Sequence, residues 1–91
     1  MNYSVKLRIL GNVQGVSFRG FAKRHAEQLG LKGYVKNVHD GTVEVVAEGN
    51  RDRLEILIET LRSGSDRSRV DNIEIEWSPF RGIFKKFDVI Y

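Results

Sequence analysis

The chain has no cysteine, one proline, one methionine and one tryptophan in 91 residues. Without cysteine there is no disulfide framework and no thiolate zinc site. That absence fits the cytoplasm, which is the expected compartment. No run approaches the roughly 20 apolar residues that span a bilayer. The N-terminal "MNYSVKLRIL" also lacks the apolar core of a signal peptide, so no membrane partner is expected. Neither sign of charge dominates: 15 Lys and Arg stand against 12 Asp and Glu, for a net charge of +3. This modest excess is compatible with an anionic small molecule or weak nucleic-acid contact, and the basic residues are scattered rather than clustered on one face, so charge alone does not choose between them. What remains, 41% hydrophobic and 30% charged, is an ordinary globular composition. A chain of this length holds one core, so residues 1–91 are expected to form a single domain.

Polarity alternates cleanly through residues 3–9, where Tyr3, Val5, Leu7 and Ile9 are set against Ser4, Lys6 and Arg8. This is the pattern of a half-buried strand. After the glycine-rich "GNVQGVSFRG", the residues Phe18, Phe21, Ala22, His25, Ala26 and Leu29 recur at helical spacing, and Gly30 stands where a helix ends. "LKGYVKNV" reads as a second strand, Asp40-Gly41 as a two-residue hairpin turn, and "TVEVVAE" as the returning strand. Asn50 is a good N-cap for a second helix carrying Leu54, Leu57, Ile58 and Leu61. "VDNIEIEW" alternates until Pro79, and "FDVIY" supplies a short final strand. The order predicts an α+β, ferredoxin-like βαββαβ fold with an extra C-terminal strand. Its antiparallel sheet would be covered on one face by both helices.

In that topology the first two strands are parallel, with the third between them. The end of strand one, the start of helix one and the end of strand two then share an edge. Two strand spacings, about 10 Å, separate the two strand ends, a gap that an arginine can largely bridge. The loop, Arg19 and Asn37 converge there. Glycines at 11 and 15 permit positive φ, so that successive N–H groups form an anion-binding nest. The helix N-terminus adds to it. Arg19 supplies a charged fork, and Asn37 a neutral group able to hold water. Spacing leaves a second reading equally open, in which the glycines merely turn the chain and Arg19 is solvated. The loop is neither a Walker A motif nor a dinucleotide fingerprint.

The same residues resemble the acylphosphatase family. "ILGNVQGVSFR" (Ile9 to Arg19) is similar to its phosphate-loop signature: aliphatic, any, Gly, any, Val-Gln-Gly-Val, any, Phe-Arg. "GYVKNVHDGTVEVVAEG" (Gly33 to Gly49) is similar to its second signature, Gly-aromatic-Val-basic-Asn, three residues, Gly-x-Val, five residues, Gly. The closing "FDVIY" also resembles the family's last strand. One departure is Asn12, where the family usually has arginine or lysine; another is Ser17, at a variable position. The resemblance implies hydrolysis of the carboxyl–phosphate anhydride of small acyl phosphates to carboxylate and inorganic phosphate, with no metal and no cofactor. It implies that the backbone N–H groups of Gln14, Gly15, Val16, Ser17 and Phe18, together with Arg19, bind the phosphoryl oxygens. Asn37 would orient the attacking water. The expected partners are an acyl phosphate and inorganic phosphate or a similar anion, on a monomer.

Other residues have plainer readings. His25 is expected to be packed at a boundary and His39 solvated at the turn. Glu55 and Glu59 are spaced to pair with Arg51 and Arg62. Arg67, Arg69, Lys85 and Lys86 are read as solvated charges. If strand five opposes strand four, the Tyr91 carboxylate reaches Arg19 and can pair with it. The same element order serves RNA-recognition domains, but these carry stacking aromatics on strands one and three, and strand three here has none. A metal-chaperone domain would need cysteines. A regulatory domain does not explain Arg19 and Asn37 together. A domain cut from a larger carbamoyl-phosphate enzyme is the nearest rival, and the chain's limits, Met1 and the closing strand, favour a free-standing enzyme.

Overall fold

Alternation carries the first strand further than the apolar residues alone suggest. In the computed structural model, which describes residues 1–91, β1 runs Asn2–Asn12, followed by α1 (Phe18–Gln28), β2 (Lys32–Asn37), β3 (Val43–Asn50), α2 (Arg51–Ser63), β4 (Arg69–Pro79) and β5 (Phe87–Ile90). The sheet order is β4-β1-β3-β2-β5. Val5, Leu7 and Ile9 of β1, Val43, Val45 and Ala47 of β3, and Val35 of β2 lie on one face. There they meet Phe18, Ala22 and Ala26 of α1 and Leu54, Leu57 and Leu61 of α2, all buried. Truncating one of these leucines to alanine typically costs about 2–5 kcal/mol, so this layer holds the helices against the sheet.

Both helix ends obey local rules. The Asn50 side chain accepts from the Asp52 N–H at 2.9 Å, and so caps α2. At the end of α1, the Leu31 N–H donates to the Ala26 carbonyl (2.9 Å) and the Gly30 N–H to the Glu27 carbonyl (3.0 Å). That is a Schellman closure.

Three expectations need correction. The sheet is mixed, because β5 pairs parallel with β2. β4 ends with Pro79 opposite Tyr3, at the start of β1. Residues 80–86 then cross that end of the sheet to reach Gly33, so β5 can only run the way β2 runs. Two backbone N–H groups of the crossing, Arg81 and Gly82, donate to the buried Glu48 carboxylate at 3.1 and 3.0 Å. The hairpin between β2 and β3 has three loop residues, His39 to Gly41. The Val38 N–H donates to the Thr42 carbonyl at 2.9 Å, and the Gly41 N–H to the Val38 carbonyl at 3.1 Å. With Gly41 at φ +93° this is a turn followed by a bulge. Asp40 stabilises it by accepting from both the N–H (3.0 Å) and the hydroxyl (2.6 Å) of Thr42.

The third correction concerns Gly11. It belongs to β1, at a bulge against β4 between Leu10 and Gly11. A Cβ there would stand 2.0 Å from the Arg69 carbonyl oxygen. The positive φ expected there is present, at +140°, but glycine is required also by the approach of the neighbouring strand, inside β1 rather than in the loop.

Candidate active site

Residues 13–17 carry the chain from β1 into α1 through two left-handed residues, Gly15 at φ +74° and Ser17 at φ +61°. Gly15 has nothing within 4 Å of where a Cβ would stand, so its glycine serves conformation alone. Ser17 is the only non-glycine residue with positive φ. This costs about 1–2 kcal/mol, and its side chain caps nothing in return. The first helical bond of α1 runs from the Phe21 N–H to the Ser17 carbonyl at 3.1 Å. The N–H groups of residues 14–20 donate to no acceptor in the protein. Strained, unpaired backbone at a helix N-terminus is the physical form of an anion cradle.

The loop is held in place by a side chain. Gln14 Nε2 donates to the Val38 and Thr42 carbonyls, each at 2.8 Å. This ties the cradle to the hairpin that follows Asn37. Sequence reasoning valued Gln14 for its N–H and missed this strut. A glutamine inside a glycine-rich loop was the available signal.

Arg19 sits in the first turn of α1. Its Nη1 donates to the Ile90 carbonyl at 3.2 Å, and its guanidinium carbon lies 4.6 Å from the centre of the Tyr91 ring. β5 does oppose β4 in direction, and the chain end does reach Arg19. The contact runs through a carbonyl and an aromatic face, where carboxylate pairing was expected. The guanidinium lies over the ring face, and its remaining N–H groups stay free for an anion.

Asn37 ends β2 opposite Val43, on the helix-covered face. Its Oδ1 is buried without a hydrogen-bond donor. A buried amide left unpaired costs about 1–3 kcal/mol, and rotation about χ2 exchanges its acceptor for its donor. Gly15, Ser17, Phe18, Arg19, Asn37 and Tyr91 line one cleft of about 370 Å³. Gln14 and Val16 lie outside it: Gln14 turns to the hairpin, and Val16 packs against the core. Of the two histidines, His25 packs edge-on to Phe21 with ring centres 4.6 Å apart. His39 is exposed on the hairpin loop, outside the cleft. Glu55 and Glu59 pair with Arg51 (3.7 Å) and Arg62 (3.0 Å) as their spacing predicts. Arg69 and Lys86 pair with Asp71 and Asp88, at 2.9 and 3.5 Å.

This arrangement can grip a tetrahedral oxyanion on one side and place a small polar molecule beside Asn37. Comparison with known proteins points the same way. The model of the family described as Acylphosphatase matches residues 5–89. A protein named acylphosphatase from Caldanaerobacter subterraneus subsp. tengcongensis is 43% identical over 89 residues, 98% of this chain and 99% of its own length. The crystal structure of acylphosphatase from Bacillus subtilis superposes with a TM-score of 0.94 at 35% identity, covering 100% of both chains. An acylphosphatase structure from Coxiella burnetii gives 0.92 at 37% identity over 98% of this chain and 93% of its own. Sequence blocks, fold and full-length relatives agree, and the chain belongs to the acylphosphatase family.

Proposed function

We propose that this acylphosphatase-family member hydrolyses small acyl phosphates, with Arg19 and the N–H groups of Gln14 to Phe18 holding the phosphoryl oxygens and Asn37 orienting the water. The carrying observation is Asn37 Oδ1, buried and unpaired, in the cleft that Gly15, Ser17, Phe18 and Arg19 also line. Phosphoryl transfer passes through a loose transition state, so positioning and charge stabilisation supply most of the catalysis. Water attacks phosphorus, the bond from phosphorus to the bridging oxygen breaks, and the products are a carboxylate and inorganic phosphate. The leaving carboxylate is a stable anion and needs no general acid. Arg19 and the cradle neutralise the phosphoryl charge, and this supports a reaction without metal or cofactor. The reading extends to a monomeric, cytoplasmic, single-domain enzyme over residues 1–91. No helix is long and apolar enough to cross a membrane.

The test is hydrolysis of benzoyl phosphate and acetyl phosphate by wild type, Arg19→Ala and Asn37→Ala. Both variants should remain folded and lose activity on the order of a hundredfold or more, the scale of removing an oxyanion contact. An inactive wild type, or an Arg19→Ala protein as fast as wild type, overturns the assignment.

A further inference from the structure

A second cleft, of about 390 Å³, opens on the other side of the cradle. It shares Ser17 and Gly20 with the Arg19 cleft, and its remaining walls differ. The Arg19 cleft is closed by Asn37, Val89 and Tyr91, from β2 and the chain end. The second is closed by Gly64 to Arg67, from the connection between α2 and β4. Asn37 and this connection therefore flank the cradle from two sides. Attacking and leaving oxygens lie roughly in line in phosphoryl transfer. With water held at Asn37, the acyl group departs away from Asn37, toward the second cleft.

The walls of that cleft suit a particular acyl group. Val16 and Phe21 supply apolar surface, and Arg24 rests with its guanidinium carbon 6.0 Å from the Phe21 ring centre. Arg67 stands on the opposite wall. Arg8, Arg51, Arg62 and Arg69 each pair with a carboxylate, but Arg24 and Arg67 pair with none. The one acidic residue of the lining, Asp66, has no ion-pair partner either, which leaves two cations against one anion.

We propose that Arg24 and Arg67 form an anion subsite for the acyl moiety, making acyl phosphates with a second negative group the favoured substrates. The inference rests on the acyl-phosphate hydrolysis proposed above. A short methylene chain would lie on Val16 and Phe21, and its terminal carboxylate or phosphonate would meet the two guanidinium groups. Carboxylate and phosphonate share the chemistry that Arg recognises.

The test compares kcat/KM for butyryl phosphate, succinyl phosphate and 3-phosphonopropanoyl phosphate. Wild type should prefer one or both substrates with an anionic tail by about three- to tenfold through KM, as two solvent-accessible ion pairs allow. The better substrate identifies the anion. Arg24→Gln/Arg67→Gln should bring the ratio to about one and leave butyryl phosphate within about twofold of wild type. Arg81→Gln/Lys85→Gln removes the same charge far from the cleft and should preserve the preference. Melting temperatures establish that both variants fold. A preference that survives Arg24→Gln/Arg67→Gln, or one lost equally in the distant pair, overturns the subsite. Equal use of all three substrates by wild type also overturns it, with hydrolysis itself left standing. Failure to hydrolyse butyryl phosphate would remove the underlying activity instead.

Discussion

The two ends of the sheet treat polar groups in opposite ways. Where β1 and β2 begin, the buried Glu48 carboxylate is satisfied by the Arg81 and Gly82 N–H groups. On the open face, Arg8 bridges Asp40 at 2.6 Å and Glu74 at 3.1 Å, and the Tyr34 hydroxyl donates to Glu44 at 2.7 Å. Where β1 and β2 end, the N–H groups of residues 14–20 and the Asn37 amide have no protein partner, and Ser17 is strained. Unpaired polar groups and left-handed backbone lower stability. The one buried side-chain atom without a partner, Asn37 Oδ1, and the one non-glycine residue with positive φ, Ser17, both lie at this end, which marks where the fold gives up stability to hold a ligand.

Ligand addition breaks the contrast most strongly. Inorganic phosphate at a hundred times its dissociation constant should stabilise wild type by about 2.7 kcal/mol, seen as a rise in melting temperature. Arg19→Ala should lose most of that rise and keep its ligand-free stability. At the paired end, Glu48→Ala strands two N–H donors and should cost about 2–3 kcal/mol in denaturant unfolding. A smaller loss would mean that water replaces the carboxylate easily. Ser17→Gly tests the strain from the other side. Relief of the left-handed penalty is partly offset by the entropy of the unfolded glycine, so stability should rise by about 0.5–1 kcal/mol. An unchanged midpoint would remove strain from the description of the loop.

The smallest effects are in the pH limbs. The hydroxyl and N–H of Thr42, and then Arg8, hold the Asp40 carboxyl far below the usual carboxylate range. A depressed folded value gives stability that is present above the unfolded value near pH 4 and is lost as pH falls below it toward the folded value. Asp40→Asn should therefore flatten the acid limb below about pH 4. Burial, with the bond to Glu44 second, pushes Tyr34 up to about 12 from 10.0. Here the sign reverses: the contribution is complete below pH 10.0 and declines as pH rises toward 12. Tyr34→Phe should remove that alkaline step in a melting series.

Features that depend on near neighbours were legible in the chain. The alternation of β1, the apolar stripes of both helices, the Asn50 cap and Gly30 at the end of α1 follow from local geometry. The two signature blocks likewise placed Arg19 and Asn37, because each lies in a compact run of diagnostic residues. Features that depend on another strand were not. Gly11 looks like a loop glycine until β4 brings the Arg69 carbonyl against it. The Gln14 amide has no evident target until the hairpin lies beneath it.

The sequence by itself determined the kinds of element, their order, the faces they bury and the family. Periodicity, caps and short motifs express steric and hydrogen-bonding rules that act over a few residues. Tertiary structure decided that β5 runs parallel to β2, that the chain end meets Arg19 through the Ile90 carbonyl and the Tyr91 ring, and that Arg24 and Arg67 face one cleft. Each of these depends on where residues 64–67 and 80–86 cross, and no local rule specifies the path of a connection between distant strands.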